Sequence, residues 1–285
     1  RWRRPLDGWG YSPLDQITRD NVADLRMVWS RAMNRGNQEG APLVYDGVLY
    51  MPNPGDVIQA IDAVSGDLIW EHRRDLPDDL SEFMGGLVTT KRAIAIYGNV
   101  ILDTTGDDFL LALDASTGEV AWETEILDYQ VNPALQTAGP IVANGKVISG
   151  RSCRGRATPN ACVITAHDAM TGTELWRRRT IPGPGEPGDE TWGGVPFEDR
   201  KHVGSWMVPS YDPVLNLVYI GTSVTSPAPK FMLGGADNAH LYHNSTLALD
   251  ADTGEITWYY QHLNDHWDLD HPYERLLIDT AVAPD

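Results

Sequence analysis

Asp268 and Asp270 stand two residues apart in the run Asp265-His266-Trp267-Asp268-Leu269-Asp270. In an extended segment, side chains at i and i+2 share one face, so these carboxylates would lie side by side. Two anions that close repel each other. A proton on one, a cationic side chain or a metal ion must compensate. Oxygen donors favour a hard cation such as Ca²⁺. A lone Asp-x-Asp is more often a turn cap or a solvated acid, so the pair gains meaning only from the elements that present it.

Other chemistry-bearing residues are less directive. His240, His243, His262, His266 and His271 crowd the C-terminal region, but they lack the His-Glu-x-x-His or paired His/Cys spacing of zinc sites. Cys153 and Cys162 flank a polar, loop-like stretch. They are read either as two separate buried thiols or as the ends of a small disulfide loop. The second reading fits an oxidising compartment.

The elements that must position these residues come from a repeat. The segments IQAIDAVSGDLIW, LLALDASTGEVAW, ITAHDAMTGTELW and TLALDADTGEITW end at Trp70, Trp122, Trp176 and Trp258. Asp62, Asp114, Asp168 and Asp250 occupy the same place in each, followed by Ser-Gly or Thr-Gly. An alternating apolar stretch, a tight turn and a second alternating stretch read as strand, turn, strand. Asp can hydrogen-bond the turn backbone, and Gly accepts positive φ. The Trp can pack between units while its N–H reaches a neighbouring carbonyl.

A second hairpin signal precedes each unit, at 41–51, 91–102, 139–150 and 210–221. Four strands recurring at roughly fifty residues are the signature of a propeller blade. The last interval is longer, through an insertion at 181–201 rich in Pro, Gly and acids. The run ending at Trp29 lacks the turn and reads as a degenerate strand that would close the ring with the far C-terminus. Residues 1–285 are thus expected to be one all-β domain, a partial propeller truncated at its C-terminus, because an open stack of blades leaves unpaired edges.

The bulk numbers agree. Hydrophobic residues make up 42% of 285, enough for a packed core. A net charge of −18 opposes nucleic-acid binding through the general field. No apolar run approaches the roughly 20 residues of a membrane-spanning helix. No apolar stretch follows Arg1-Trp2-Arg3-Arg4-Pro5 to make a signal peptide.

Three segments carry a family resemblance. Trp9-Gly10-Tyr11-Ser12-Pro13-Leu14 with Asp15-Gln16-Ile17-Thr18, then Gln38-Glu39-Gly40-Ala41-Pro42-Leu43, and finally Asp265 to Asp270 resemble the quinoprotein alcohol dehydrogenases, which depend on pyrroloquinoline quinone (PQQ). The resemblance implies an eight-bladed β-propeller, about half of it here. It implies oxidation of a small-molecule alcohol by hydride transfer to PQQ in the bacterial periplasm, with a cytochrome c-type electron acceptor. It makes Asp268 the catalytic carboxylate and a metal ligand. Asp270 matches the second Asp of lanthanide-binding members, so the ion is Ca²⁺ or a lanthanide. Cofactor contacts fall on Glu39, Arg92, Thr137 and Trp206, with Arg92 pairing a cofactor carboxylate and Trp206 lying under the quinone.

Three segments depart from the family pattern. Gly85-Gly86-Leu87 stands where many members have adjacent cysteines. Gly150-Arg151-Ser152-Cys153-Arg154-Gly155 has no acid where a metal-binding Glu is expected, and Gly221-Thr222-Ser223-Val224 lacks the metal-binding Asn. Thr225 and Asn160 are candidate substitutes. These departures keep a second reading open, a non-catalytic propeller that scaffolds protein assembly or binds a partner at the cell envelope.

Overall fold

The computed structural model describes residues 12–85, 89–153, 155–226, 229–233, 237–265, 269–273 and 275–280. Four four-stranded antiparallel sheets follow one another along the chain. The first holds β1 (Leu43–Tyr45), β2 (Val48–Asn53), β3 (Val57–Asp62) and β4 (Leu68–Arg73). The second holds β5 (Ala95–Tyr97), β6 (Val100–Thr104), β7 (Phe109–Asp114) and β8 (Val120–Glu125). After the short β9 (Ala134–Leu135), the third holds β10 (Ile141–Ala143), β11 (Lys146–Gly150), β13 (Val163–Asp168) and β14 (Glu174–Arg179). Between β11 and β13, β12 (Ser152–Cys153) pairs back to β9. The fourth holds β15 (Ser210–Asp212), β16 (Leu217–Gly221), β17 (Ser245–Asp250) and β18 (Ile256–Gln261). Each sheet is one propeller blade.

The repeat motif does the same work in every blade. Asp62, Asp114, Asp168 and Asp250 each accept two backbone N–H bonds from the turn that follows. Across the hairpin an Ala faces each Trp: Ala60 opposite Trp70, Ala112 opposite Trp122, Ala166 opposite Trp176 and Ala248 opposite Trp258. The register slips just after that Ala each time, a bulge that adds twist. The first three Trp then lie against the turn glycine of the next blade: Trp70 on Gly118, Trp122 on Gly172, Trp176 on Gly254. The N–H of Trp70 reaches the Ala115 carbonyl at 3.0 Å, and that of Trp176 reaches Ala251 at 3.1 Å. Trp122 keeps the packing, but its buried N–H finds no acceptor among the described residues.

Trp29 joins the series without a strand. It packs on Gly66 and donates to Ala63 at 3.2 Å, yet residues 25–37 form no ladder. Strand structure requires a hydrogen-bonded neighbour, and none lies beside this segment among the described residues. The degenerate strand expected there is therefore absent, although its Trp is seated as expected.

The insertion is ordered rather than a bare loop. Short 3-10 turns at Asp189–Trp192 and Phe197–Asp199 bury Trp192 completely. Its indole donates to the Leu241 carbonyl at 2.7 Å and stacks on His240 at 4.9 Å. Cys153 and Cys162 are joined by a disulfide.

Candidate active site

Topology sorts the loops into two sets. In each blade the first hairpin and the Asp-x-x-Thr-Gly hairpin turn at one end. The connection from second to third strand and the link to the next blade lie at the other. The motif residues are thus architectural, and they sit at the first of these ends.

Glu39, Arg92, Thr137 and Trp206 all lie at that other end, each three or four residues before the first strand of its blade, at Leu43, Ala95, Ile141 and Ser210. Radial repetition brings these equivalent positions together. Arg92 Nη2 is 2.7 Å from Glu39 Oε2, and Arg92 Nη1 donates to Thr137 Oγ1. The guanidinium carbon lies 5.3 Å from the centre of the Trp206 ring. The Trp206 indole N–H donates to Asp270 Oδ2 at 3.0 Å, and the Val224 amide donates to Asp270 Oδ1 at 2.9 Å. Glu39, Arg92, Thr137, Trp206 and Asp270 are therefore one connected group drawn from consecutive blades. Asp268 lies outside the described residues, as do His266 and Trp267.

A cleft of about 480 Å³ opens beside this group, lined by Trp206, Leu263, Leu269, Asp270, His271 and Tyr273. Tyr273 meets Trp206 edge-on at 6.2 Å. A larger hollow at the opposite end of the fourth blade, around Tyr211 to Leu215, holds none of the group.

Under the site run charge pairs that spacing alone does not announce. Lys91 contacts Asp56 Oδ1 at 2.7 Å and Asp103 Oδ2 at 3.2 Å, all three side chains being almost fully buried. Arg151 Nε is 3.0 Å from Asp108 Oδ1, again buried. Burial pushes the Asp108 carboxyl up to about 7 despite Arg151, and burial pulls Arg151 down despite Asp108. Both directions say that desolvation outweighs attraction in this pair. The blade-three segment expected to bring a metal-binding acid thus brings a buried, paired cation.

Among the described residues no three His, Cys, Asp or Glu side chains group as a metal centre. What is present is the carboxylate of Asp270, which accepts the Val224 amide, and hard oxygens on the segments that meet at Ser223 and Val224. Among the described residues, Thr225 Oγ1 and Asn244 Oδ1 are buried without partners. Thr225 follows Val224, and the Asn244 amide bonds to the Ser223 carbonyl at 3.0 Å. The donor chemistry is that of a hard cation. For the quinone the fit is fuller: a cation with two fixed partners, and an aromatic plate beside it.

Residues 1–284 match the family described as PQQ, glucose/ethanol/alcohol dehydrogenase, beta-propeller domain. The chain belongs to this PQQ dehydrogenase family. It is 34% identical over 293 residues to the quinohemoprotein alcohol dehydrogenase of Comamonas testosteroni, covering 96% of this chain and 40% of that one. The solved quinohemoprotein alcohol dehydrogenase ADHIIG of Pseudomonas putida superimposes with a TM-score of 0.81 at 32% identity, over 93% of this chain and 40% of that one. A europium-containing methanol dehydrogenase gives a TM-score of 0.82 at 24% identity, over 99% and 52% respectively, and it speaks to the fold alone. The chain spans about two-fifths of the length of the two alcohol dehydrogenases.

The propeller expected from the repeats is the fold of these structures. Sequence reading missed Lys91, Asp56, Asp103 and the Arg151–Asp108 pair. The one available signal was a Lys beside Arg92 at the edge of an apolar strand.

Proposed function

We propose that this protein oxidises an alcohol by hydride transfer to bound PQQ, with a hard cation assisting. The observation that carries the reading is the convergence of Glu39, Arg92, Thr137 and Trp206 from four blades on one end of the propeller. When bound, PQQ supplies the two-electron acceptor, and a cation beside it polarises the accepting carbonyl.

The chain's own residues would do the rest. Arg92, oriented by Glu39 and Thr137, offers a planar donor fork to a cofactor carboxylate. Trp206 presents a flat apolar face whose tilt is fixed by Asp270. Asp268 takes the hydroxyl proton of the alcohol, and Asp270 joins it in holding the cation, with Thr225 and Asn244 as the neighbouring oxygen donors. The cleft beside Trp206, walled by Leu263, Leu269 and Tyr273, receives the carbon chain of the alcohol. Between Ca²⁺ and a lanthanide, a second carboxylate at Asp270 favours the ion of higher charge. The electrons then pass to a cytochrome c-type acceptor. The Cys153–Cys162 disulfide supports an oxidising, periplasmic location.

The test is reconstitution of the intact protein with PQQ and either Ca²⁺ or La³⁺, followed by a dye-linked assay on primary and secondary alcohols. Dye reduction that depends on PQQ and on one of the ions is the expected result. No reduction with either ion, together with no PQQ-induced thermal stabilisation, overturns the reading.

A further inference from the structure

Lys91 is the residue before Arg92, and it is buried where Arg92 is partly open. Its ammonium donates to the Thr104 carbonyl and forms ion pairs with Asp56 from the first blade at 2.7 Å and with Asp103 from β6 at 3.2 Å. The carboxylates are themselves tied to backbone. Asp56 Oδ2 accepts the Gly106 amide at 2.5 Å, and Asp103 Oδ1 accepts the Thr104 amide at 2.8 Å. Lys91 thus joins the strand-connecting loop of blade one to the second strand of blade two.

The same short stretch is zipped to the segment that carries Glu39. Gln38 and Lys91 form a parallel bridge, and the Ala41 amide donates to the Arg92 carbonyl at 2.8 Å. In extended chain, successive side chains face opposite ways. Anchoring Lys91 inward therefore directs Arg92 outward, toward Glu39 and Thr137.

We propose that Lys91 is a positioning residue for the Glu39–Arg92–Thr137 anion site, its clamped ammonium fixing the backbone from which Arg92 reaches the cofactor. The proposal rests on the reading of Arg92 as a PQQ-carboxylate contact. The charge count explains why a clamp is needed here. Two acids and one base leave the buried triad with a net negative charge when all are ionised. Burial, partly offset by Lys91, pushes Asp103 up to about 6, while Asp103 and Asp56 together raise Lys91 against its burial. The ammonium is the group that both carboxylates need.

The test is a double-mutant cycle on the cofactor-free intact protein at fixed Ca²⁺, read as PQQ affinity by tryptophan quenching. Lys91→Met is combined with Asp103→Asn so that no second buried charge is stranded. Alone, this pair is expected to weaken PQQ binding about tenfold; in an Arg92→Gln background it should change binding less than about twofold. Lys91→Arg, which keeps the cation, should recover most of the affinity. If K91M/D103N fails to fold, Lys91→Gln with Asp103→Asn takes its place under the same expectations. Equal losses with and without Arg92 would show that Lys91 does not act through it, and so would parental affinity in the Lys91 variants when Arg92→Gln alone weakens binding. Parental affinity in Arg92→Gln itself would instead remove the anion-site reading.

Discussion

The indole of Trp206 and the carboxylate of Asp270 share a 3.0 Å hydrogen bond, and the other oxygen of Asp270 accepts the buried Val224 amide at 2.9 Å. One side chain thus sets the tilt of the aromatic plate and ties it to the strand-connecting loop of the fourth blade. An amide has a single oxygen, so Asp270→Asn satisfies only one of these two donors. Leaving a buried N–H unpaired costs about 1–3 kcal/mol. That loss is expected in urea denaturation of the intact protein. In a Trp206→Phe background only Val224 still asks for an acceptor, and the same substitution should cost less than about 1 kcal/mol. An undiminished cost there would mean that Trp206 is not oriented by Asp270.

Arg92 serves Glu39 and Thr137 through two different nitrogens while lying over Trp206. A lysine is a point charge and cannot hold that fork. Arg92→Lys should therefore weaken PQQ binding by about tenfold or more, with thermal stability nearly unchanged, since the side chain is partly exposed. Calorimetric titration of the variant with PQQ checks this. Parental affinity would show that charge alone suffices at this position.

How much of this was legible in the sequence follows from distance along the chain. Asp62, its turn glycine and Trp70 lie within one hairpin, so repetition exposes them, and four copies made the propeller readable. Glu39, Arg92, Thr137 and Trp206 were found through resemblance, but the reason they meet is their shared place before the first strand of each blade. Asp56, Lys91 and Asp103 come from three separate segments, and Asp108 and Arg151 from two blades. Nothing local marks such pairs, because a buried charge and a solvated one look alike until the fold brings them together. The strand expected at Trp29 was to pair with the far C-terminus, and among the described residues it has no ladder partner.

The interblade contact makes a separable prediction. A Cβ at Gly118 would lie 2.5 Å from the Trp70 ring, at φ +74°. At Gly47 the φ is nearly the same, +77°, with nothing within 4 Å. Gly47→Ala should therefore report backbone strain alone, about 1 kcal/mol, and Gly118→Ala should add an overpacking cost of about 1–3 kcal/mol. Chemical denaturation of both variants gives the difference directly. Equal costs would mean that the Trp layer yields freely and does not set blade spacing.

His167 gives the clearest pH signature. It is fully buried on β13, neither ring nitrogen has a hydrogen-bond partner among the described residues, and burial with Arg151 nearby pulls its pKa down to about 4. The native state therefore holds the ring neutral, while the unfolded chain protonates it near 6.5. Stability from this group is present above 6.5 and is lost as pH falls through the folded value, amounting to roughly 2–4 kcal/mol by linkage. Asp103 and Asp108, whose carboxyls are raised, act in the opposite sense and gain relative stability as pH falls. The histidine must therefore be read by difference. His167→Leu removes the titration without breaking a hydrogen bond, so it should match the parent within about 1 kcal/mol at pH 7. At pH 4 it should exceed the parent by roughly 2–3 kcal/mol, because only the parent must bury a ring that its unfolded state would charge. A difference between the two proteins that does not change from pH 7 to pH 4 would mean that His167 is already protonated in the fold, drawing on Glu174, whose carboxylate lies 3.6 Å away.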